Sequence, residues 1–510
     1  MNAEYWRARA EELQSHLDEA RALLLRLAEV LPVESLPQLK LSAAETDGKG
    51  TGNGHRLAES TRCDALVDSL SAPTEERLIK IGAPVIMTEN HEQDSSIPDS
   101  TSKMFGKKQT LQSLKNKPVQ NTASPRVSPA SVGLAACTSI TSAPAKIPFG
   151  VNLAGHFASE KGVGEAARAS VRALQAVGIP YVLNNFTDSL SVNQDTAYAA
   201  FDEDNPYSFN LIQVNADQAP AFAGQKGLKY FEERYNIGYW FWELSEFPAE
   251  WQSSFLYFDE IWVASDFVLD SISRAAPIPV TKIPLSLPTT LAIRDDLTRA
   301  YFNIPDDKFV FTFIYDFNSV SRRKNPLGLI EAFKRAFTPK DDALLILKCA
   351  HSAEHLAELE TLQRAAQGVN VQMIDQVLSR DELNTLLAQT DCYVSLHRSE
   401  GFGLTLAEAM LLGKPVIATG YSSNTDFMTA TNSFLVKYHL TEIDQDYGPY
   451  KKGCVWAEPD LDHAAELMRY VYRNPESALK IGSQARQDIA DLHPQRVGNV
   501  IKERLLRIQG

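Results

Sequence analysis

The chain has 510 residues, 44% of them apolar, and 64 acidic against 50 basic residues give it a formal charge of −14. That length holds two or three domains, and the acidic balance argues against a general nucleic-acid binder and against strong attachment to anionic lipid. Cys63, Cys137, Cys349, Cys392 and Cys454 form no C-x-x-C pair, which excludes a zinc ribbon or disulfide framework and suits a reducing cytoplasm. No apolar run of about eighteen residues reads as a membrane span. The first six residues do not read as a signal peptide. The expected location is cytoplasmic, with the inner face of a membrane as a peripheral alternative.

The first predicted element is a helix over 5–31, within an N-terminal segment 1–37. Trp6, Ala10, Leu13, Leu17, Ala20, Leu24, Leu27 and Leu31 alternate spacings of four and three, a heptad seam, and Pro32 ends it. Self-association, a protein partner and docking on its own chain all fit so short a seam. Residues 38–145 are rich in Ser, Thr, Asn, Gly and Pro and read as a disordered linker. Lys103, Lys107, Lys108, Lys115 and Lys117 within it read as solvated charge rather than a lipid contact.

Residues 146–288 then alternate apolar runs of strand length with helical patterns. Strands are predicted at 146–154, 181–185, 209–214, 237–242 and 260–264, and a helix at 162–177. Residues 289–510 repeat the theme, with strands at 309–315, 343–349, 369–374, 392–396 and 415–419. Helices are predicted at 327–337, 353–366, 380–388 and 405–412, and three more close the chain. Such alternation predicts an α/β chain of two Rossmann-like domains, each a doubly wound parallel sheet, facing a cleft.

Five stretches carry chemistry. After the first strand comes Gly155-His156-Phe157-Ala158-Ser159-Glu160-Lys161-Gly162-Val163-Gly164-Glu165-Ala166-Ala167-Arg168, a glycine-rich turn opening a helix. Tyr239-Trp240-Phe241-Trp242-Glu243 sets rings beside a carboxylate at a strand end, which suits carbohydrate; core packing competes equally for each ring. Ser319-Val320-Ser321-Arg322-Arg323-Lys324-Asn325-Pro326 gathers three cations ahead of a helix. His397-Arg398-Ser399-Glu400-Gly401-Phe402-Gly403-Leu404-Thr405-Leu406-Ala407-Glu408 joins a strand to a helix whose N-terminal amides carry about half a positive charge and favour phosphate. Glu408 falls in an apolar helix, where a carboxylate needs a partner. Tyr421-Ser422-Ser423-Asn424-Thr425-Asp426 is a turn after the next strand.

The fourth stretch resembles the E-x7-E signature of retaining GT-B glycosyltransferases of the family 4 class (glycosyl transferases group 1), bacterial type. The resemblance covers about residues 146–510. It implies that Glu400 contacts the donor sugar and Glu408 the ribose hydroxyls. Amides from Gly401, Phe402 and Gly403 into Leu404 and Thr405 hold the diphosphate. Bacterial members carry a similar Gly-x-Gly-Glu-Ala-Ala-Arg stretch, which places Gly162 and Gly164, and more weakly Ser159 and Glu160, by the diphosphate and the acceptor. Lys324 matches the lysine that neutralises the leaving diphosphate. The accompanying arginine falls at Asn318 or Ser319, so Arg322 or Arg323 takes its place. Glu243 is assigned to the acceptor hydroxyl, and Asn424, with Asp426, to the loop around the nucleotide. The usual histidine is missing at Val214-Asn215-Ala216-Asp217, where Asp217 is the substitute on offer.

The expected function is therefore a retaining hexosyltransferase that uses a nucleotide-diphosphate sugar. A glycan or lipid-linked glycan would be the acceptor, in bacterial cell-surface polysaccharide synthesis. No Asp-x-Asp motif stands at a strand end, so neither a metal nor a cofactor is called for. Two alternatives remain: a different GT-B enzyme, such as a sugar-nucleotide epimerase or a phosphorylase, and a catalytically degenerate GT-B scaffold of a polysaccharide-assembly complex, which the missing arginine and histidine would suit.

Overall fold

A computed structural model describes residues 147–187 and 193–510. The expected N-terminal helix and linker lie outside the described residues.

The first sheet contains β1 (Val151–Gly155), β2 (Tyr181–Asn185), β3 (Phe209–Gln213), β4 (Tyr235–Trp240), β5 (Glu260–Val263) and β6 (Val280–Lys282). They run parallel in the order β2-β1-β3-β4-β5-β6. Its helices are α1 (Gly162–Ala176), α2 (Ala219–Lys226) and α3 (Asp266–Ser273). β1, β3 and β5 are buried along their whole length, as a sheet covered on both faces requires.

The second domain holds β7 (Phe309–Ile314), β8 (Ala343–Cys349), β9 (Val371–Asp375), β10 (Cys392–Ser395), β11 (Val416–Thr419) and β12 (Phe434–Val436). These too are parallel, in the order β12-β11-β10-β7-β8-β9. Its helices are α4 (Ser321–Lys324), α5 (Pro326–Ala336), α6 (Leu356–Ala365), α7 (Arg380–Gln389), α8 (Leu404–Leu411), α9 (Leu461–Arg473), α10 (Pro475–Asp488) and α11 (Pro494–Gln509). An antiparallel hairpin, β13 (Tyr438–Glu442) and β14 (Val455–Pro459), lies beside the sheet. Two parallel-sheet α/β domains are thus present, as the alternation of patterns implies.

Four strands escape the sequence pattern for physical reasons. β6 and β12 have three residues each, too few for a period to register. β13 is almost wholly exposed, so it carries no apolar run. β14, its partner, ends in Glu458-Pro459, which breaks the strand signal.

The domains are tied together at both ends. α11 crosses back onto α1, and a Cβ at Gly498 would stand 2.3 Å from the Ala173 carbonyl oxygen, so glycine permits the close crossing. Arg504 of α11 grips Glu260 of β5 with two hydrogen bonds of 2.9 and 2.7 Å. Ser265, the N-cap of α3, donates to the Ser423 hydroxyl at 2.8 Å. Lys282 bridges Asp426 at 2.6 Å and Asp266 at 2.9 Å. Among the described residues no helix is long and apolar enough to cross a membrane.

Candidate active site

Ligands of open parallel sheets bind beyond the C-terminal ends of the strands, where the strand order reverses. In the second sheet that place lies between β7 and β10. The loops leaving these two strands contain the basic triplet and the E-x7-E segment. A cavity of about 410 Å³ opens there, walled by Gly162, Glu165, Phe241 and Glu243 of the first domain and by Lys324, Glu400 and Glu408 of the second.

Glu400 is the centre of an ion cluster. Its carboxylate receives Lys324 Nζ at 2.6 Å and Arg323 Nη1 at 3.3 Å. Arg323 also stands 3.9 Å from Glu243, donates to the Ser399 carbonyl oxygen at 2.8 Å and lies over the Tyr450 ring at 5.8 Å. Burial opposes the charge on Glu400, yet Lys324 and Arg323 outweigh it and hold the carboxyl down at about 2. Burial lowers the Lys324 ammonium from its ordinary value, Glu400 pulls it back up and Arg323 depresses it again. The carboxylate is thus fixed in its ionised form beside two cations.

The loop that presents Glu400 is braced on every side. Ser422 Oγ accepts from the Glu400 amide at 2.8 Å, and Asn325 Nδ2 donates to the Leu396 carbonyl at 2.9 Å. Arg398 clasps Glu458 at 2.7 and 2.8 Å. His397 is buried, which lowers its imidazole from the ordinary value; its Nε2 pairs with Asn424 Oδ1 at 3.1 Å and its Nδ1 with Ser395 Oγ at 3.0 Å. Four non-glycine residues after β7, β8 and β11 hold positive φ: Val320 at 61°, Asn325 at 58°, His351 at 62° and Ser422 at 71°. Each costs about 1–3 kcal/mol, a strain that collects at ligand sites.

Gly403, with φ of 92°, is the N-cap of α8, and no side chain caps that helix. The first amides of α8 are thereby left toward the cavity that Gly401, Phe402, Gly403, Leu404 and Thr405 line. One turn on, Glu408 is paired with Arg380 at the start of α7. Burial raises the Glu408 carboxyl, and Arg380 pulls against it. Arg380 reaches the first domain electrostatically as well. Burial would raise Glu165, but Arg380, Arg172 and Arg168 keep it below the ordinary range.

Several expected positions are not where the sequence suggests. Arg322 is exposed outside this cavity, on the other side of its loop, and the buried Arg323 enters instead, because one step along α4 turns the side chain by about 100°. Gly164 does not line the cavity; a Cβ there would meet the Ser159 carbonyl oxygen at 2.1 Å, so it serves the turn into α1. Asn424 is fully buried and holds His397 and the Thr419 carbonyl rather than facing the cavity. Asp217 is exposed and likewise off the cavity wall. Of the aromatic run, Phe241 alone lines the cavity; Trp240 stacks on Phe247 and Trp242 packs on Tyr450, inside the core. Glu160 and Gly162 do line it. Arg380 and Lys348 belong to none of the five stretches; the sequence marks them only as a basic N1 residue behind a Ser379–Glu382 capping box and a lysine inside an apolar strand. Among the described residues no group of three or more His, Cys, Asp or Glu is placed to hold a metal ion.

The family described as Glycosyl transferases group 1 matches residues 295–488. The described chain has the GT-B architecture. Solved structures that share it include sucrose-phosphate synthase from Thermosynechococcus elongatus, 15% identical over 71% of this chain and 99% of that one, with a TM-score of 0.53. A glycosyltransferase from Rickettsia africae is 14% identical over 71% of this chain and 99% of that one, with a TM-score of 0.52. Trehalose synthase from Pyrococcus horikoshii is 22% identical over 225 residues, 42% of this chain. The chain spans about half the length of that curated relative, 48%. The family match and the architecture together support a GT-B glycosyltransferase.

Proposed function

We propose that the chain is a retaining, metal-independent glycosyltransferase that moves a sugar from a nucleotide-diphosphate donor to a hydroxyl acceptor. The observation that carries this reading is Glu400, ionised between Lys324 and Arg323 at the mouth of an inter-domain cavity. Glu400 orients the transferred sugar through its hydroxyls, and Glu408 accepts from the ribose once Arg380 yields one carboxylate oxygen. Lys324, Arg323 and the amides at the start of α8 neutralise the diphosphate.

The reaction is front-sided. The bond from the anomeric carbon to the β-phosphate oxygen breaks with its electron pair going to the phosphate. The acceptor oxygen bonds to the same face of that carbon, and its proton passes to the leaving phosphate. Charge is stabilised by cations and dipoles already in place. Glu243, at the first-domain wall, positions the acceptor hydroxyl. The class that the sequence resembles, rather than the E-x7-E motif or a particular side chain, supports a glycan or lipid-linked glycan acceptor in cell-surface polysaccharide synthesis.

The test is incubation of the purified chain with a panel of nucleotide sugars, following nucleoside diphosphate release and the anomeric configuration of the product by NMR. Release with retained configuration, lost in Glu400→Gln, is expected. An inverted product contradicts the mechanism, and no turnover with any donor or glycan acceptor favours the scaffold reading.

A further inference from the structure

Resting on the nucleotide-sugar reading, we propose that Lys348 reads the donor's base. It selects a base whose outer edge carries a carbonyl oxygen (O4 of uracil or thymine, O6 of guanine) over cytosine and adenine, which carry an amino group there.

Lys348 is the penultimate residue of β8 and lines the cavity, yet it is only 6% exposed. Among the described residues no hydrogen bond or ion pair holds its ammonium. Burial lowers it from its ordinary value, and the carboxylates that oppose this, Asp316 and Asp375, act at longer range. Both are already engaged, Asp316 by His351 Nδ1 at 2.9 Å and Asp375 by the Ser352 hydroxyl. With its stem packed in the strand wall and its ammonium turned to the cavity without an acceptor among the described residues, Lys348 is placed to donate to a ligand oxygen. The cavity suits a flat ring: Ala350, Val377, Leu378 and Leu383 are among its apolar lining residues.

Position separates this cation from the Glu400 loop and the α8 amides. The order β10-β7-β8-β9 sets β8 two strands from the Glu400 loop, about 10 Å away at the usual strand spacing. That is the order of the distance across a diphosphate and a ribose. Glu400 and the α8 amides stand at the near end, Lys324 and Arg323 on the loop after the intervening β7, and Lys348 at the far end.

Calorimetric titration with UDP, CDP, GDP and ADP tests the proposal. UDP against CDP, and GDP against ADP, differ in the base edge within one ring size, so the unaltered chain already gives the answer. In the ring size that binds, the carbonyl base is expected to bind about tenfold or more tighter, the scale of one hydrogen bond to a charged group. Lys348→Met should erase that preference and leave the amino-base nucleotide unweakened, while Lys348→Arg should keep it. Equal binding of UDP and CDP and of GDP and ADP overturns the proposal. So does an equal loss for all nucleotides in Lys348→Met, which would make Lys348 a phosphate contact while leaving the donor reading standing. Failure of all four to bind the unaltered chain overturns the donor reading and this inference with it.

Discussion

Two buried polar networks lie at opposite ends of the parallel strands, and they differ in what they ask of a ligand. In the first sheet Asn152, Asn210 and Asn236 stand side by side in register, each at the second position of its strand. Asn152 donates to Asn210 at 2.9 Å, Asn210 to Asn236 at 2.8 Å, and Asn236 to the Phe231 carbonyl at 3.0 Å. This ladder is built of uncharged amides, touches one carboxylate at its end (Asp259, 3.3 Å from Asn236 Nδ2), is satisfied by protein and lies at the N-terminal strand ends. The Glu400 cluster is equally buried, but it is charged, held on strained loops at the C-terminal strand ends, and opens on a cavity. Burial of polar groups therefore does not mark function here. Charge, an open side and the end of the strand do.

The largest expected effect breaks the charged network. Lys324→Met should lower kcat about 10²–10³-fold, the usual result of deleting one donor to developing negative charge. Steady-state kinetics checks this, with circular dichroism confirming the fold. Glu400 should be replaced by Gln rather than Ala. Stripping one partner from a buried pair costs about 3–5 kcal/mol, and Gln keeps the shape and some hydrogen bonding.

Breaking the amide network should do the opposite. Asn210→Leu strands the Asn236 oxygen, at about 1–3 kcal/mol for a buried group left unsatisfied, and leaves the Asn152 amide only its bond to the Tyr207 carbonyl. Denaturant unfolding should show that loss while kcat per folded molecule stays unchanged. Gly498→Ala acts through the crossing of α11 on α1, where the added methyl meets the Ala173 carbonyl. It should cost about 1–3 kcal/mol, measured the same way.

The mildest probe is pH. Glu400's carboxyl is held at about 2 against an ordinary 4.5. A depressed value means that its pairing stabilises the fold above about 4.5 and that this contribution fades as pH falls toward 2. The stability deficit of Glu400→Gln relative to the unaltered chain should accordingly shrink over that window. A deficit constant with pH would count against the ion pair.

The same contrast explains what was legible in the sequence. Long buried strands and the helix-opening E-x7-E loop announce themselves, because apolar runs and glycines at turns are local signals. The basic triplet is legible as a group, but choosing Arg323 over Arg322 is not, since the difference is one step of helical rotation. Arg380 reads as a surface charge at a capped helix start; only the fold brings it to Glu408. Trp240 and Trp242 show a choice the sequence leaves open, carbohydrate contact or core, which space settles as core. The asparagine ladder was written as Val-Asn-Leu, Phe-Asn-Leu and Tyr-Asn-Ile. Register, which a single strand does not reveal, turns three isolated residues into one network.

The most direct test of the central claim, that the charged network is a donor site, is thermal unfolding of the unaltered chain and of Glu408→Gln with and without nucleoside diphosphates. A ligand of the folded state adds about 2.7 kcal/mol at a hundred times its Kd. The account predicts a rise in Tm with one nucleotide family that is lost or strongly reduced in Glu408→Gln. A cooperative unfolding transition that no nucleotide moves, or an undiminished rise in the variant, would contradict it.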